Sequence, residues 1–227
     1  MNPLLTFQHV TLEAGAPYDA GLRDVSLALA PGELALVRLP YGTTVTPLAD
    51  LACGVIDPEQ GEVAFQGESW NGQGADREAT RRGLIGRVFE RAGWLSNLDV
   101  DENITLARRY HERWEPAEAL RQAQDLALRL GMSGVPAGRP ALVPRGELLR
   151  AQWVRALLGE PVLLLLERPV RDLPPAWVAP LVTEVQRRRA AGVAVLWLTD
   201  DHERLDPAAL TPTLKFGLED GNIHPQA

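Results

Sequence analysis

The chain has 227 residues and a mass of 24.8 kDa, enough for one large domain, or one domain with an inserted lobe, and too little for a multidomain enzyme. Its 45% hydrophobic and 23% charged residues exclude wholesale disorder, and no apolar run approaches the ~20 residues of a membrane span. A net charge of −7 argues against nucleic acid as the main partner, while the lone Cys53 excludes an internal disulfide and suits a reducing cytoplasm. The opening Met1-Asn2-Pro3-Leu4 has no basic segment followed by an apolar one, so no secretory signal is expected.

In chain order, Leu5, Phe7, His9-Val10 and Leu12 alternate as a strand, and residues 22–29 read as a second. Pro31-Gly32 turns into residues 33–39, a nearly continuous apolar run typical of a strand buried on both faces. Thr46-Pro47 reads as an N-cap followed by proline at the first helical position, opening a short helix over 48–55. Strands are predicted at 62–65 and 84–89, and a helix from 101 to 111. Over 116–130, Ala119, Leu120, Ala123, Leu126, Ala127 and Leu130 share one helical face. A Gly/Pro-rich connector (131–144) separates this from a helix at 146–158 and a buried strand at 162–166. A helix at 177–189, a strand at 193–198 and a hairpin turning at Asp220-Gly221 complete the chain. The alternation predicts an α/β core carrying a helical insertion.

The ordered series of segments resembles an ATP-binding-cassette (ABC) ATPase domain. Gly32-Glu33-Leu34 resembles the entry to the P-loop strand, and residues 51–63 (LACGVIDPEQGEV) the helix and strand that follow the P-loop. Val88-Phe89 with residues 98–104 is similar to the Q-loop region, Arg155-Ala156-Leu157 to the signature helix running into Walker B, and Leu218-Glu219-Asp220-Gly221 to the closing hairpin. The resemblance implies a P-loop NTPase (RecA-like) core with an antiparallel β subdomain and an inserted helical subdomain. It places the core at about 1–90 and 150–227, and the helical lobe at about 91–149. ATP and Mg²⁺ are the ligands it implies, and a membrane permease and a second cassette subunit are the partners, with the chain peripheral on the cytoplasmic face of the membrane.

Several residues at the matched positions differ from the family pattern. The P-loop falls on residues 39–47, of which Pro40, Gly42 and Thr46 agree with that pattern and Thr43 lies between them. Its first glycine has become Leu39, its third Thr44, and the lysine that meets the β- and γ-phosphates Val45. Lys215 is the single lysine among the 23 basic residues, so no shift of alignment restores it. Arg38 either supplies a cation or pairs locally; Thr46 either ligates magnesium or serves as an N-cap. Glu90 stands at the Q-loop glutamine. Pro144, Arg145, Gly146 and Glu147 occupy the signature, and Pro144 has neither hydroxyl nor N–H. Walker B ends in Glu167-Arg168: Glu167 is a weak metal candidate, and Arg168 cannot accept a proton.

Asp200 matches the switch histidine, with His202 two residues on, and Ala14 matches the adenine-stacking aromatic, with Tyr18 nearby. Glu90, Glu147, Glu167 and Asp200 thus gather acids where a tetra-anion is expected. No catalytic residue and no tightly bound cofactor are predicted. The resemblance therefore implies a degenerate cassette. Three readings follow: a pseudo-ATPase subunit of a transporter, an atypical active ATPase relying on Arg38, Glu167 and a partner chain, or a soluble adaptor. On sequence alone, Leu39→Gly with Thr44→Gly and Val45→Lys is expected to recover ATP binding.

Trp94 and Trp114 suit either a permease interface or the core. Arg187-Arg188-Arg189 reads as solvated charge at a helix end, and Cys53 as core.

Overall fold

The computed structural model describes residues 2–40, 42–43, 45–72, 74–91, 93–200 and 206–226. A mostly parallel sheet forms its centre, ordered β10-β9-β3-β8-β7-β6. Its members are β3 (Leu34–Arg38), β6 (Ile85–Val88), β7 (Leu163–Glu167), β8 (Ala194–Thr199), β9 (Leu214–Glu219) and β10 (Asn222–Pro225). Only the β9–β10 hairpin is antiparallel within it. A second, antiparallel sheet, β2-β1-β4-β5, is built from β1 (Leu5–Leu12), β2 (Leu22–Leu29), β4 (Gln60–Phe65) and β5 (Glu68–Ser69).

Side chains alternate across a strand, and both faces of the central sheet are covered. Leu34, Leu36, Leu164, Leu166, Val195 and Trp197 point into a core shared with the helices α3 (Val100–His111), α4 (Pro116–Arg129), α5 (Arg145–Leu157) and α6 (Pro175–Ala190). Their neighbours Ala35, Val37, Leu163, Leu165, Leu196 and Leu198 point into the other core, against the antiparallel sheet and α1 (Leu48–Ala52). The apolar runs of β3, β7 and β8 follow from this double burial.

The predicted α4 face is the buried one, with Ala119, Ala123, Leu126 and Ala127 inside. The first helix is shorter than the expected 48–55, ending at Ala52. The sequence pattern missed α2 (Ala75–Arg82), whose residues ADREATRR supply no apolar stripe. Arg81 holds it instead: its guanidinium donates to the carbonyls of Phe65, Glu68 and Ser69 at 2.5, 2.7 and 3.0 Å and lies 4.1 Å from the Trp70 ring. Trp94 and Trp114 are half-buried and pack against the helical core, and Cys53 is buried.

Arg187, Arg188 and Arg189 are not simply solvated charge, as the sequence suggested. The first two clamp Glu184, and the last two donate to the carbonyls of Leu157, Gly159, Gly32 and Leu210, fixing the end of α6 to its neighbours. Among the described residues, no helix is long and apolar enough to cross a membrane.

Gly86 on β6 lets α5 approach the sheet. A Cβ there would stand 1.9 Å from the Ala156 carbonyl oxygen, a backbone atom that cannot swing aside. Gly86→Ala is therefore expected to lower stability by about 1–3 kcal/mol or more, the range of overpacked cores. A urea midpoint equal to that of the unaltered chain would contradict this packing.

Candidate functional site

The residues matched to the P-loop follow β3. Leu39 is buried and its N–H donates to the Thr199 carbonyl at 2.8 Å, so the chain leaves the sheet anchored to the end of β8. Pro40 accepts from Thr43 N–H at 3.2 Å in a turn that Gly42 completes at φ +83°, a conformation glycine adopts without strain. Val45 N–H, at the lysine position, donates to the Asp19 carboxylate at 2.9 Å, and its carbonyl accepts from Asp19 N–H at 3.0 Å. An acid therefore holds an amide where an anion-binding loop presents amides to phosphate. Thr46 is buried and its Oγ1 accepts from Leu48 N–H at 3.3 Å. This is a local capping contact, although the helix itself begins after Pro47 rather than after Thr46. Thr44, like His202 further on, lies outside the described residues.

Arg168 dominates the next layer. It follows β7, its side chain is 2% exposed, and its Nε lies 2.6 Å from Asp200 Oδ2. Its Nη1 lies 3.0 Å from Glu90 Oε2, and its Nη2 donates to the Thr43 carbonyl. Arg171 Nη1 meets the other Glu90 oxygen at 2.8 Å. One guanidinium thus joins the loop after β3, the segment after β6 and the end of β8.

A second arginine, Arg87 on β6, reaches Glu167 at 2.7 Å and Asp50 of α1 at 2.6 Å. Tyr18 donates its hydroxyl to the other Asp50 oxygen at 2.8 Å, which turns the ring toward α1. Burial pushes the Glu167 carboxyl above the usual carboxylate range, against the pull of Arg87. Burial likewise raises the Tyr18 hydroxyl and the Cys53 thiol.

This geometry corrects the expectation of unbalanced acids. Asp50, Glu90, Glu167 and Asp200 face the guanidiniums of Arg87, Arg168 and Arg171, so the charge there is largely internal. Glu147, grouped with the acids from sequence, is exposed on the first turn of α5. The signature-matched residues sit at that helix start. Pro144 is the N-cap, Arg145 is 87% exposed beside Asp172 at 3.0 Å, and Gly146 packs under Trp177. Arg38 is exposed at the end of β3, and Lys215 lies on β9 in register with Leu36. Ala14 lines an open cleft of about 850 Å³ between the two sheets, together with Arg23, Pro40, Thr43 and Asp220.

The groups at the positions matched to the Mg-ATP site are engaged within the protein. Glu167 is engaged by Arg87, the Arg168 guanidinium lies against the loop after β3, and Asp19 holds the Val45 amide. Sequence reasoning missed Arg87 and Asp50. Their signal was a charged residue inside an apolar strand (IGRV) and another inside an apolar helix (LADLA).

The family model described as ABC transporter matches residues 22–171, well over half of the chain. The chain is 31% identical over 201 residues to a probable anion import ATP-binding protein of Haloferax volcanii, covering 82% of this chain and 68% of that protein. It is 32% identical over 186 residues to the lipoprotein-releasing system ATP-binding protein LolD of a Jannaschia species, covering 80% of this chain and 81% of that one. Against another import subunit it spans 54% of the relative's length. A dimeric ATP-binding cassette solved in a post-hydrolysis state with ADP and phosphate superposes with a TM-score of 0.86 at 19% identity, covering 98% of this chain and 97% of that one.

Proposed function

This chain belongs to the ABC transporter family, and we propose that it serves as a cassette-fold subunit of a membrane transporter without hydrolysing ATP. In this reading it is a single cassette, with a core at about 1–90 and 150–227 and a helical lobe at about 91–149. It pairs with a second cassette and docks on a permease at the cytoplasmic face of the membrane. The observation that carries the proposal is the position of Arg168, which stands at the catalytic carboxylate and is bonded to Thr43, Glu90 and Asp200. A guanidinium keeps its proton at any physiological pH and cannot activate water.

Cassette dimers share each nucleotide between the P-loop of one chain and the signature of the other. Both of this chain's contributions are altered, at Val45 and at Pro144, so pairing with an intact partner leaves no fully standard site. Removing one preorganised donor slows an enzyme by roughly 10²–10³, and here a cation, a carboxylate and a signature donor are replaced together. Phosphate release from Mg-ATP by the purified chain is accordingly expected at the level of a buffer blank, at least ~10⁴-fold below a working cassette. Turnover in the ordinary cassette range that Glu167→Ala abolishes would overturn the proposal. Co-purification with a permease separates it from a soluble adaptor.

A further inference from the structure

We propose that Arg168 is a built-in latch, in which one side chain ties together the loop after β3, the segment after β6 and the end of β8. The inference rests on the non-hydrolysing reading, in which no nucleotide does this work. In a working cassette the resemblance assigns that bridging to phosphate and metal; here the fork of a single guanidinium reaches Thr43, Glu90 and Asp200 at once. Its backbone supports the role: Arg168 adopts φ +43°, a left-handed conformation that non-glycine residues hold only where the surroundings over-determine it. Its N–H is fixed to the Leu198 carbonyl at 2.9 Å, and its carbonyl accepts from Arg171 N–H at 3.2 Å.

The grip extends from the site to α5. Glu90 follows Phe89, whose N–H donates to Gln152 of α5 at 3.1 Å. The Phe89 ring has Arg87 4.5 Å and Arg155 5.2 Å from its centroid, and Arg155 also stacks 4.4 Å from the Trp94 ring and donates to the Gly93 carbonyl at 3.0 Å. Burial draws the Arg155 pKa down to about 10, and its guanidinium lies against ring faces and the Gly93 carbonyl. Arg168 is thereby a positioning residue: through Glu90 it fixes the segment that meets α5, and the ATP-driven rearrangement of a cassette is replaced by one permanent arrangement.

Amide hydrogen exchange on the full chain tests this. Arg168→Gln and Glu90→Gln are each expected to speed exchange of the Phe89 amide at least tenfold, with the centre of the β3–β8 pairing unchanged. Because both act on one latch, the double variant should exchange no faster than the faster single variant. Rates within twofold of the unaltered chain in either single variant, or effects that multiply in the double, would overturn the latch. If Arg168→Gln fails to fold, Glu90→Gln alone carries the same tenfold expectation, and a twofold or smaller change overturns it. Phosphate release from Mg-ATP by the unaltered chain reads the non-hydrolysing proposal separately: turnover in the ordinary cassette range counts against that proposal, whereas the variants judge the latch.

Discussion

Arg87→Ala is expected to remove about 3–5 kcal/mol of stability, the magnitude seen when one partner of a buried ion pair is deleted. Arg87 is 12% exposed and holds two carboxylates, Glu167 at 6% and Asp50 at 20% exposure. Deleting it leaves both without their guanidinium in a region that disfavours charge. The loss should depend on pH in a defined direction. The Glu167 pKa is raised in the folded chain, so the native state holds its proton more tightly than the unfolded state does. Stability then falls as pH rises from the ordinary carboxylate value through the raised one.

Without Arg87 that window widens, and the deficit should be largest above the raised value and shrink as pH falls toward the ordinary carboxylate value, as Glu167 takes up a proton. Urea unfolding across this range measures it. Combining Arg87→Met with Asp50→Asn and Glu167→Gln should restore most of the loss, since the penalty lies in the stranded charges. A deficit below about 1 kcal/mol that ignores pH would mean that water already screens the cluster.

Rebuilding the phosphate loop by itself is expected to leave ATP binding undetectable, contrary to the expectation from sequence. Leu39→Gly, Thr44→Gly and Val45→Lys restore the glycines and the cation. They leave the Asp19 carboxylate on the amide of position 45 and the Arg168 guanidinium on the Thr43 carbonyl. Adding Asp19→Ala and Arg168→Glu should tighten binding at least ~100-fold over the triple variant, about 2.7 kcal/mol. Turnover should remain absent, because Pro144 still offers no donor to a partner's nucleotide. Calorimetric titration compares the two variants directly. Equal micromolar binding by both would show that neither Asp19 nor Arg168 bars the site.

Much of this architecture was legible in the sequence. The runs of β3, β7 and β8, the amphipathic face of α4 and the Asp220-Gly221 hairpin carry periodicities that burial alone explains. Val45, Pro144 and Arg168 stand at identifiable places in the ordered series. The pairing of charges was not legible. Arg87 and Glu167 are 80 positions apart in the chain, Arg168 and Glu90 78, and only the parallel register of β6, β7 and β8 brings them together. For the same reason the Arg81 clamp concealed α2: a guanidinium capping three carbonyls leaves no hydrophobic period to read.

We propose that the protein's own arginines fill this site and that it takes no nucleotide. Equilibrium titration of the unaltered chain with Mg-ATP, up to millimolar concentration, tests it most directly. No saturable binding and no shift in melting temperature are expected, whereas a ligand present at 100 times its Kd would stabilise the native state by about 2.7 kcal/mol. One ATP bound per chain with micromolar Kd, lost on removing magnesium, would contradict it.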